Sequence, residues 1–556
     1  MYMEKILKKL IFWYLIFVII KSILSYFVPS PSAFSDEYIY AKMSREFFIN
    51  LDFIDYKRYP PLYPILLSIS YLFNDMNLVY MTMKFINAVL SSLIIFPAWL
   101  ISKEFMNKKN ALEMAILVSL IPPIFAFSPI LMSENFFFTI FLFSSYFLYK
   151  SFTSQKYKWD ILAGISISLT ILTRTMGIIL IPSLLLFWII DIFRKDHLKQ
   201  LKKKLILFSF LIIIFLPLII KNISSYGFTF SSILGRYSTE ATSSLSTTYP
   251  FERIIPRFFI YLGYIIISSL AIFSIAFLSI FKSIKNNRNL FVLMILSMSM
   301  ILFSLLAVIN HGIFAQSFTF PWLGGRVLER YVATIFPLIF ILGGIGLIKK
   351  QEISPKIIFI ISLILIFSLN LLAIALFPVN NMSLTYIGVI NAILENLIPA
   401  SLTLIIFGFI FSLLPFIANK IYQKMNFEKI LTLTILFFVI LGGLNYLVIS
   451  FNSYTYWYQG DQMQLGIWFN DYDNGESIVL FDIRDTGEKI WKENQNVLCD
   501  PNACIMGFWM NDNILIGNPD EIKADYVISK HKLDFPIVKE QGGIYIYESN
   551  NNDPGI

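Results

Sequence analysis

Charge is what this sequence has least of. Only 14% of its 556 residues are Asp, Glu, Lys or Arg, against roughly a quarter in soluble globular domains, so most of the chain cannot sit beneath a water-facing surface. Cysteine is scarcer still: Cys499 and Cys504 are the only two. They exclude a disulfide framework and leave room for one small closed loop, or for two free thiols. No internal repeat or low-complexity tract is present, which gives no support to a pseudo-symmetric transporter. The net charge of +8 raises the question of nucleic acid, but the basic residues are spread through short loops and form no patch, so no nucleic-acid partner is expected.

What is present is apolar: 57% hydrophobic and 17% aromatic residues, gathered into runs of about 17 to 25, the length that crosses a hydrocarbon core of about 30 Å. The runs are continuous and do not alternate, which excludes a barrel and predicts helices. Candidate spans fall at 10–27, 79–101, 111–127, 135–149, 160–172, 176–191, 205–220, 258–280, 290–309, 331–348, 357–377, 397–418 and 430–450. The fifth and sixth read equally well as one broken element. The first follows Lys5, Lys8 and Lys9 as a signal peptide would, but it is too long and lacks a small-residue cleavage pattern, so it reads as a retained span.

Basic residues in short loops stay on the cytoplasmic side. Alternate connections carry them, from Lys103, Lys108 and Lys109 through the run Arg194–Lys204 to Lys420, Lys424 and Lys429. This predicts a multi-pass cell-membrane protein with a cytoplasmic N-terminus. The opposite segments, 28–78, 221–257, 310–330, 378–396 and everything after about 451, then lie outside. From 451 the composition changes to strand-like runs (Ser477–Phe481, Tyr526–Ile528, Ile544–Tyr547), helix signals at Gln462–Asn470 and Asp485–Lys492, and turn residues between. The expected architecture is a polytopic α-helical membrane domain of about thirteen helices over 1–450 and a small extracytoplasmic α/β domain over 451–556.

The first outer segment holds the adjacent carboxylates Asp36 and Glu37, then Tyr59-Pro60-Pro61-Leu62-Tyr63-Pro64. A carboxylate at a membrane-surface cleft can act as general base toward a hydroxyl while its neighbour tunes it or holds a cation; equally, the pair can favour the dipole of a helix starting at Tyr38. Arg174 stands between two apolar runs, where an ionisable group is a functional candidate unless it snorkels to the interface. Arg58 meets either phosphate or a surface acid. Glu134 stands at the outer end of a tight hairpin, where a solvated tip is the plain reading. His311 reads as a proton carrier or a metal ligand, or as neither, since it is a lone histidine without ligand spacing. Asn222-Ile223-Ser224 and Asn381-Met382-Ser383 match glycosylation sequons weakly.

The acidic pair after the first span and the Pro-Pro-Leu-Tyr segment resemble the GT-C superfamily of membrane glycosyltransferases, closest to the protein O-mannosyltransferase and lipid A aminoarabinose transferase branch. Lys84-Phe85-Ile86-Asn87, Met132-Ser133-Glu134-Asn135, Leu172-Thr173-Arg174 and Glu329-Arg330-Tyr331 continue the likeness. It implies transfer of a hexosyl or pentosyl unit from a polyprenyl-phosphate donor, dolichyl or undecaprenyl in type, to a protein, glycan or lipid acceptor, with inversion. Asp36 would be the base, Glu37 its support, Arg174, Arg58, Lys84, Arg326 and Arg330 ligands of the donor phosphate, and Glu134 a second acidic position for sugar hydroxyls or a cation. A divalent cation (Mg or Mn) would fit only if Asp36, Glu37 and Glu134 converge. Oligosaccharyltransferases share the superfamily, but Trp457-Tyr458-Gln459-Gly460-Asp461 does not reproduce their Trp-Trp-Asp-Tyr-Gly sequence. The rival classes are a lipid or lipid-linked sugar flippase or transporter, which would place ionisable groups near the bilayer centre, and a catalytically dead polysaccharide-binding scaffold.

Overall fold

In the computed structural model the thirteen apolar runs fall mainly in helix wherever they are described, and residues 370–377 of the run 357–377 lie outside the described residues. The structure describes residues 2–32, 34–51, 59–192, 197–228, 251–284, 287–314, 327–369, 381–473, 475, 477–482, 484 and 501–549. The first run lies in α1 (Tyr2–Tyr26), and α2 (Phe34–Asn50) and α3 (Leu62–Leu67) follow it. The second run divides into α4 (Met76–Ser92) and α5 (Ile95–Ser102), and the third into α6 (Lys108–Leu120) and α7 (Pro122–Ala126). Then come α8 (Glu134–Thr153), α9 (Lys158–Thr173), α10 (Leu180–Ile192) and α11 (His197–Tyr226). Sequence signals set several starts: Asp75, Asn107 and Asn426 each accept a backbone N–H from the first turn of the helix that follows, and Pro122 and Pro355 sit where a helix has no N–H to lose.

The second half contributes α12 (Phe251–Ser268), α13 (Ile272–Ser279), α14 (Arg288–Phe314), α15 (Glu329–Val332), α16 (Phe336–Lys349), α17 (Pro355–Phe367), α18 (Thr385–Glu395), α19 (Ala400–Lys424) and α20 (Phe427–Asn452). By length and composition six stretches among the described residues qualify as spans, or seven if the α12–α13 pair is one. That pair bends by 100°. Leu270 and Ala271 take positive φ at the break, and Ala271 N–H still donates to Ile266 C=O at 2.8 Å, so the freed backbone stays paired inside protein as membrane depth requires. Large aliphatic and aromatic side chains such as Ile405, Phe409, Ile440 and Leu447 point outward from α19 and α20, a surface suited to lipid. Lys21 of α1 is the opposite case. It is fully buried, and its ammonium donates to Ser91 Oγ at 2.9 Å and to the Ile124 carbonyl at 3.1 Å.

After α20 a wide turn (Ser453–Tyr458) leads to α21 (Asp461–Tyr472) and a five-stranded sheet: β1 (Ile478–Asp482), β2 (Asn513–Gly517), β3 (Tyr526–Ser529), β4 (Ile537–Gln541) and β5 (Ile544–Glu548), with α22 (Pro501–Gly507) before β2. The order is β2-β1-β3-β5-β4; β1 runs parallel to β2 and β3, while β5 runs antiparallel to β3 and β4. Strand alternation fills both faces. Val479, Phe481, Ile528 and Ile546 pack with Leu465 and Phe469 of α21 on one side, and Leu480, Val527 and Tyr547 form a smaller cluster on the other. The helix signal at 485–492 lies outside the described residues.

The segment that opens with α2 is enclosed by protein. Every residue of α2 from Tyr38 to Ser44 is buried, because the helix is covered by the sheet domain on one side and by α3 and the 3₁₀ turn after it on another. Tyr71 OH donates to the Ala41 carbonyl at 2.9 Å, and Tyr40 packs edge-on against Tyr59 and Tyr63. Phe508 and Trp509, just after α22, set their rings against Tyr80 of α4. The sequon at Asn381 is buried, and Asn222 lies within α11; neither has the open loop setting of a glycan acceptor.

Candidate active site

Asp36 and Glu37 occupy the first turn of α2. Successive side chains on a helix diverge by about 100°, and these two carboxylates go to separate tasks. Asp36 Oδ2 accepts from Arg330 Nη1 at 2.8 Å and its Oδ1 accepts from the Tyr59 hydroxyl at 2.6 Å. Burial pushes the Asp36 carboxyl up, but the Arg330 guanidinium, the Tyr59 hydrogen bond and the charge of Arg174 together hold it below the usual carboxylate value. Asp36 is therefore ionised at neutral pH.

Glu37 is fully buried. Its Oε1 accepts from the Leu131 N–H and its Oε2 from the Ser32 N–H, both at 2.8 Å. The carboxylate that was expected to support Asp36 instead fastens the α1–α2 turn to the α7–α8 connection. Lys84, expected on the donor phosphate, is likewise committed. Buried in α4, it donates to the Ser25 and Val28 carbonyls at 3.0 and 2.8 Å, satisfying acceptors left open where α1 ends, and it lies 4.2 Å from the Tyr80 ring centre.

The two arginines of the short motifs do converge. α9 ends at Thr173, and Arg174 takes an extended backbone (φ −158°, ψ 133°) that breaks the helix before the turn Thr175–Ile179. Its guanidinium forms an ion pair with Glu134 at the start of α8. Both residues are buried, which excludes a snorkelling arginine and a solvated hairpin tip. Arg174 also lies 4.8 Å from the Tyr331 ring centre, and Arg330 lies 5.2 Å from the same ring. Tyr40 OH donates to Ser133 Oγ at 3.1 Å, and Ser133 Oγ reaches Glu134 Oε2 at 3.5 Å. Two anions and two cations from α2, α8, the α9 terminus and α15 thus form one balanced cluster, with the Arg174–Glu134 pair buried and the Arg330–Asp36 pair partly exposed.

Glu329, next to Arg330, turns away and accepts the Ser383 N–H with both oxygens at 3.1 Å. Arg58 and Arg326 lie outside the described residues, as does Cys499. The His311 side chain also lies outside them, although its backbone belongs to α14. Cys504 is buried in α22 and disulfide-bonded. Tyr59, Tyr331, Tyr40 and Ser133 were not singled out from the sequence; being uncharged, they carry no signal beyond lying beside motif residues. Asp36, Glu37 and Glu134 do not converge on a cation position, since each faces a different partner, and among the described residues no three His, Cys, Asp or Glu side chains group as metal ligands.

Residues 58–220 match the family profile described as dolichyl-phosphate-mannose-protein mannosyltransferase, a stretch that contains Lys84, Glu134 and Arg174. No curated protein sequence matches the chain. Among solved structures, ArnT from Cupriavidus metallidurans bound to undecaprenyl phosphate superposes with a TM-score of 0.57 at 12% identity, covering 96% of this chain and 97% of that one. Its apo form gives 0.56 at the same identity and coverage. The Archaeoglobus fulgidus oligosaccharyltransferase in its apo form is more distant, at 0.46 and 13% identity over 93% of this chain and 69% of that one. Matched over nearly its whole length, the helical bundle with its small sheet domain has the fold of the ArnT structures.

Proposed function

We propose that this protein is a glycosyltransferase that moves one sugar, hexosyl or pentosyl, from a polyprenyl-phosphate donor to an acceptor hydroxyl on the non-cytoplasmic side of the membrane. Transfer inverts the anomeric carbon, and Asp36 is the general base. The observation that carries the reading is the contact of Asp36 with Arg330, beside Arg174 and the Tyr331 ring they share. A base for a hydroxyl and two cations for a leaving phosphate are the groups such a displacement needs. The family description names dolichyl-phosphate mannose and the similarly folded ArnT holds undecaprenyl phosphate; both support a lipid-phosphate donor. The Lys and Arg pattern of the short loops supports a cytoplasmic N-terminus, which sets the sheet domain outside.

In the reaction Asp36 takes the acceptor's hydroxyl proton as its oxygen forms a bond to the anomeric carbon. The bond from that carbon to the phosphate oxygen breaks, and its electron pair leaves on the phosphate. Arg174 and Arg330 offset that charge in a site where little water screens it. Arg330 links the two events. A phosphate competes with Asp36 for the same guanidinium, and a carboxylate that loses its cation becomes the stronger base just when a hydroxyl must be deprotonated.

The test is transfer of radiolabelled sugar from a panel of polyprenyl-phosphate donors by the purified protein, beside Asp36→Asn at equal abundance, with and without EDTA. Transfer by the wild type that Asp36→Asn abolishes supports the reading, and the EDTA arm decides cation dependence. Equal transfer by both proteins removes Asp36 as base. Movement of labelled lipid between leaflets without transfer to any acceptor replaces the enzyme with a flippase.

A further inference from the structure

The sheet domain grips α2 from the side opposite Asp36. Arg45 Nε donates to Asn511 Oδ1 at 2.8 Å and its Nη2 to the Asn511 carbonyl at 2.9 Å. One turn earlier, Lys42 donates to the Met510 carbonyl at 2.5 Å. At 100° per residue, Arg45 lies about 180° around the helix from Asp36 and Lys42 about 240°. Fixing both therefore fixes the rotation of α2, and with it the direction in which the Asp36 carboxylate points.

The receiving side is also held. Met510 and Asp512 are buried, and Lys42 is buried beneath them. Gly475, with φ +80°, passes so close to this segment that a Cβ there would come within 2.8 Å of the Asn511 carbonyl oxygen, so the turn before β1 backs the acceptor that Arg45 uses. Just upstream, Gly507 lies against the Tyr38 ring, and Phe508 and Trp509 lie against Tyr80. Packing alone needs no such polar set. Burying a lysine fully and an arginine in part costs desolvation that aliphatic side chains would avoid, and the return is geometric specificity.

We propose that residues 510–512 of the sheet domain act as a rotational clamp on α2, and that Arg45 and Lys42 are positioning residues which set the aim of Asp36. This rests on the glycosyltransferase reading above. It gives the sheet domain a part in the chemical step, in addition to any part in receiving the acceptor.

The experiment compares donor KM, kcat and hydrogen exchange of the α2 peptide for wild type, Arg45→Ala, Asn511→Ala and Asn511→Asp in detergent or nanodiscs. A base displaced by a fraction of an ångström lowers the chemical step, so Arg45→Ala should lose about tenfold or more in kcat. Donor KM should stay within about twofold, while α2 exchange rises. Asn511→Ala keeps the backbone acceptor and should lose less, and Asn511→Asp keeps both acceptors and should match the wild type. A folded Arg45→Ala with wild-type kcat overturns the clamp, as does a loss that falls on KM alone. Should Arg45→Ala not fold, wild-type kcat in Asn511→Ala does the same. A wild type that transfers no sugar overturns the glycosyltransferase reading and this inference with it, whereas a wild type that transfers and a silent Arg45→Ala overturn the inference alone.

Discussion

Arg330 and Asp36, 294 positions apart in the chain, meet at 2.8 Å, and each is only partly exposed. The pairing depresses the Asp36 carboxyl, so its stabilising contribution is present above the ordinary carboxylate value of about 4 and is lost as pH falls through the lower folded value. Replacing Arg330 with Gln removes the largest of the lowering influences while burial remains. The acid limb of the transfer profile should then move to higher pH, with maximal rate reduced. An acid limb that stays in place would show that the group titrating there is not Asp36.

Tyr59 holds the other oxygen of the same carboxylate at 2.6 Å. Tyr59→Phe frees one oxygen of the base from its fixed direction and should cost about tenfold in kcat, with a stability loss no larger than the about 1.5–3 kcal/mol of a hydrogen bond to a charged group. A large fall in the midpoint with kcat retained would make Tyr59 a packing residue.

Arg174 and Glu134 are a buried pair, with side chains 10% and 1% exposed. Breaking such a pair from one side leaves an uncompensated charge and costs about 3–5 kcal/mol. Arg174→Met should therefore destabilise the protein strongly, and adding Glu134→Leu should recover much of the loss without restoring transfer. Recovery of both stability and transfer would remove Arg174 from the phosphate site.

Gly343 and Gly346 of α16 face α13 across the broken span. A Cβ at Gly343 would lie 2.6 Å from the Phe273 carbonyl oxygen, and one at Gly346 would overlap that of Ala276. The obstacle is backbone, so Gly346→Ala should cost about 1–3 kcal/mol as overpacking and lower the melting temperature in detergent. An unchanged midpoint would mean that the two helices can move apart freely.

The sequence carried the helices because membrane solvation writes them as long apolar runs, and it pointed to Asp36, Glu134, Arg174 and Arg330 because ionisable groups beside such runs are rare. It could not separate these from Lys84 and Glu37, whose partners are backbone carbonyls and N–H groups that no residue identity reveals. The break at Leu270 and Ala271 was hidden for a related reason: neither glycine nor proline marks it. In the sheet, β1, β3 and β5 were legible as apolar alternation, whereas β2 and β4 are the two edges, and edge strands are short, half-exposed and often charged, as Lys539 and Glu540 illustrate. The turn of Glu37 away from Asp36 could be read only once α2 had a known orientation.

Lys21 has a consequence for biogenesis. In isolation α1 would expose its ammonium to hydrocarbon, at a cost of about 2.5–3.5 kcal/mol near a helix centre. The groups that receive that ammonium, Ser91 and the Ile124 carbonyl, are synthesised many residues later. The first helix is thus an incomplete anchor when it leaves the ribosome. Its ammonium reaches its final partners only once α4 and α7 are made, so the order of synthesis becomes part of how this bundle is assembled.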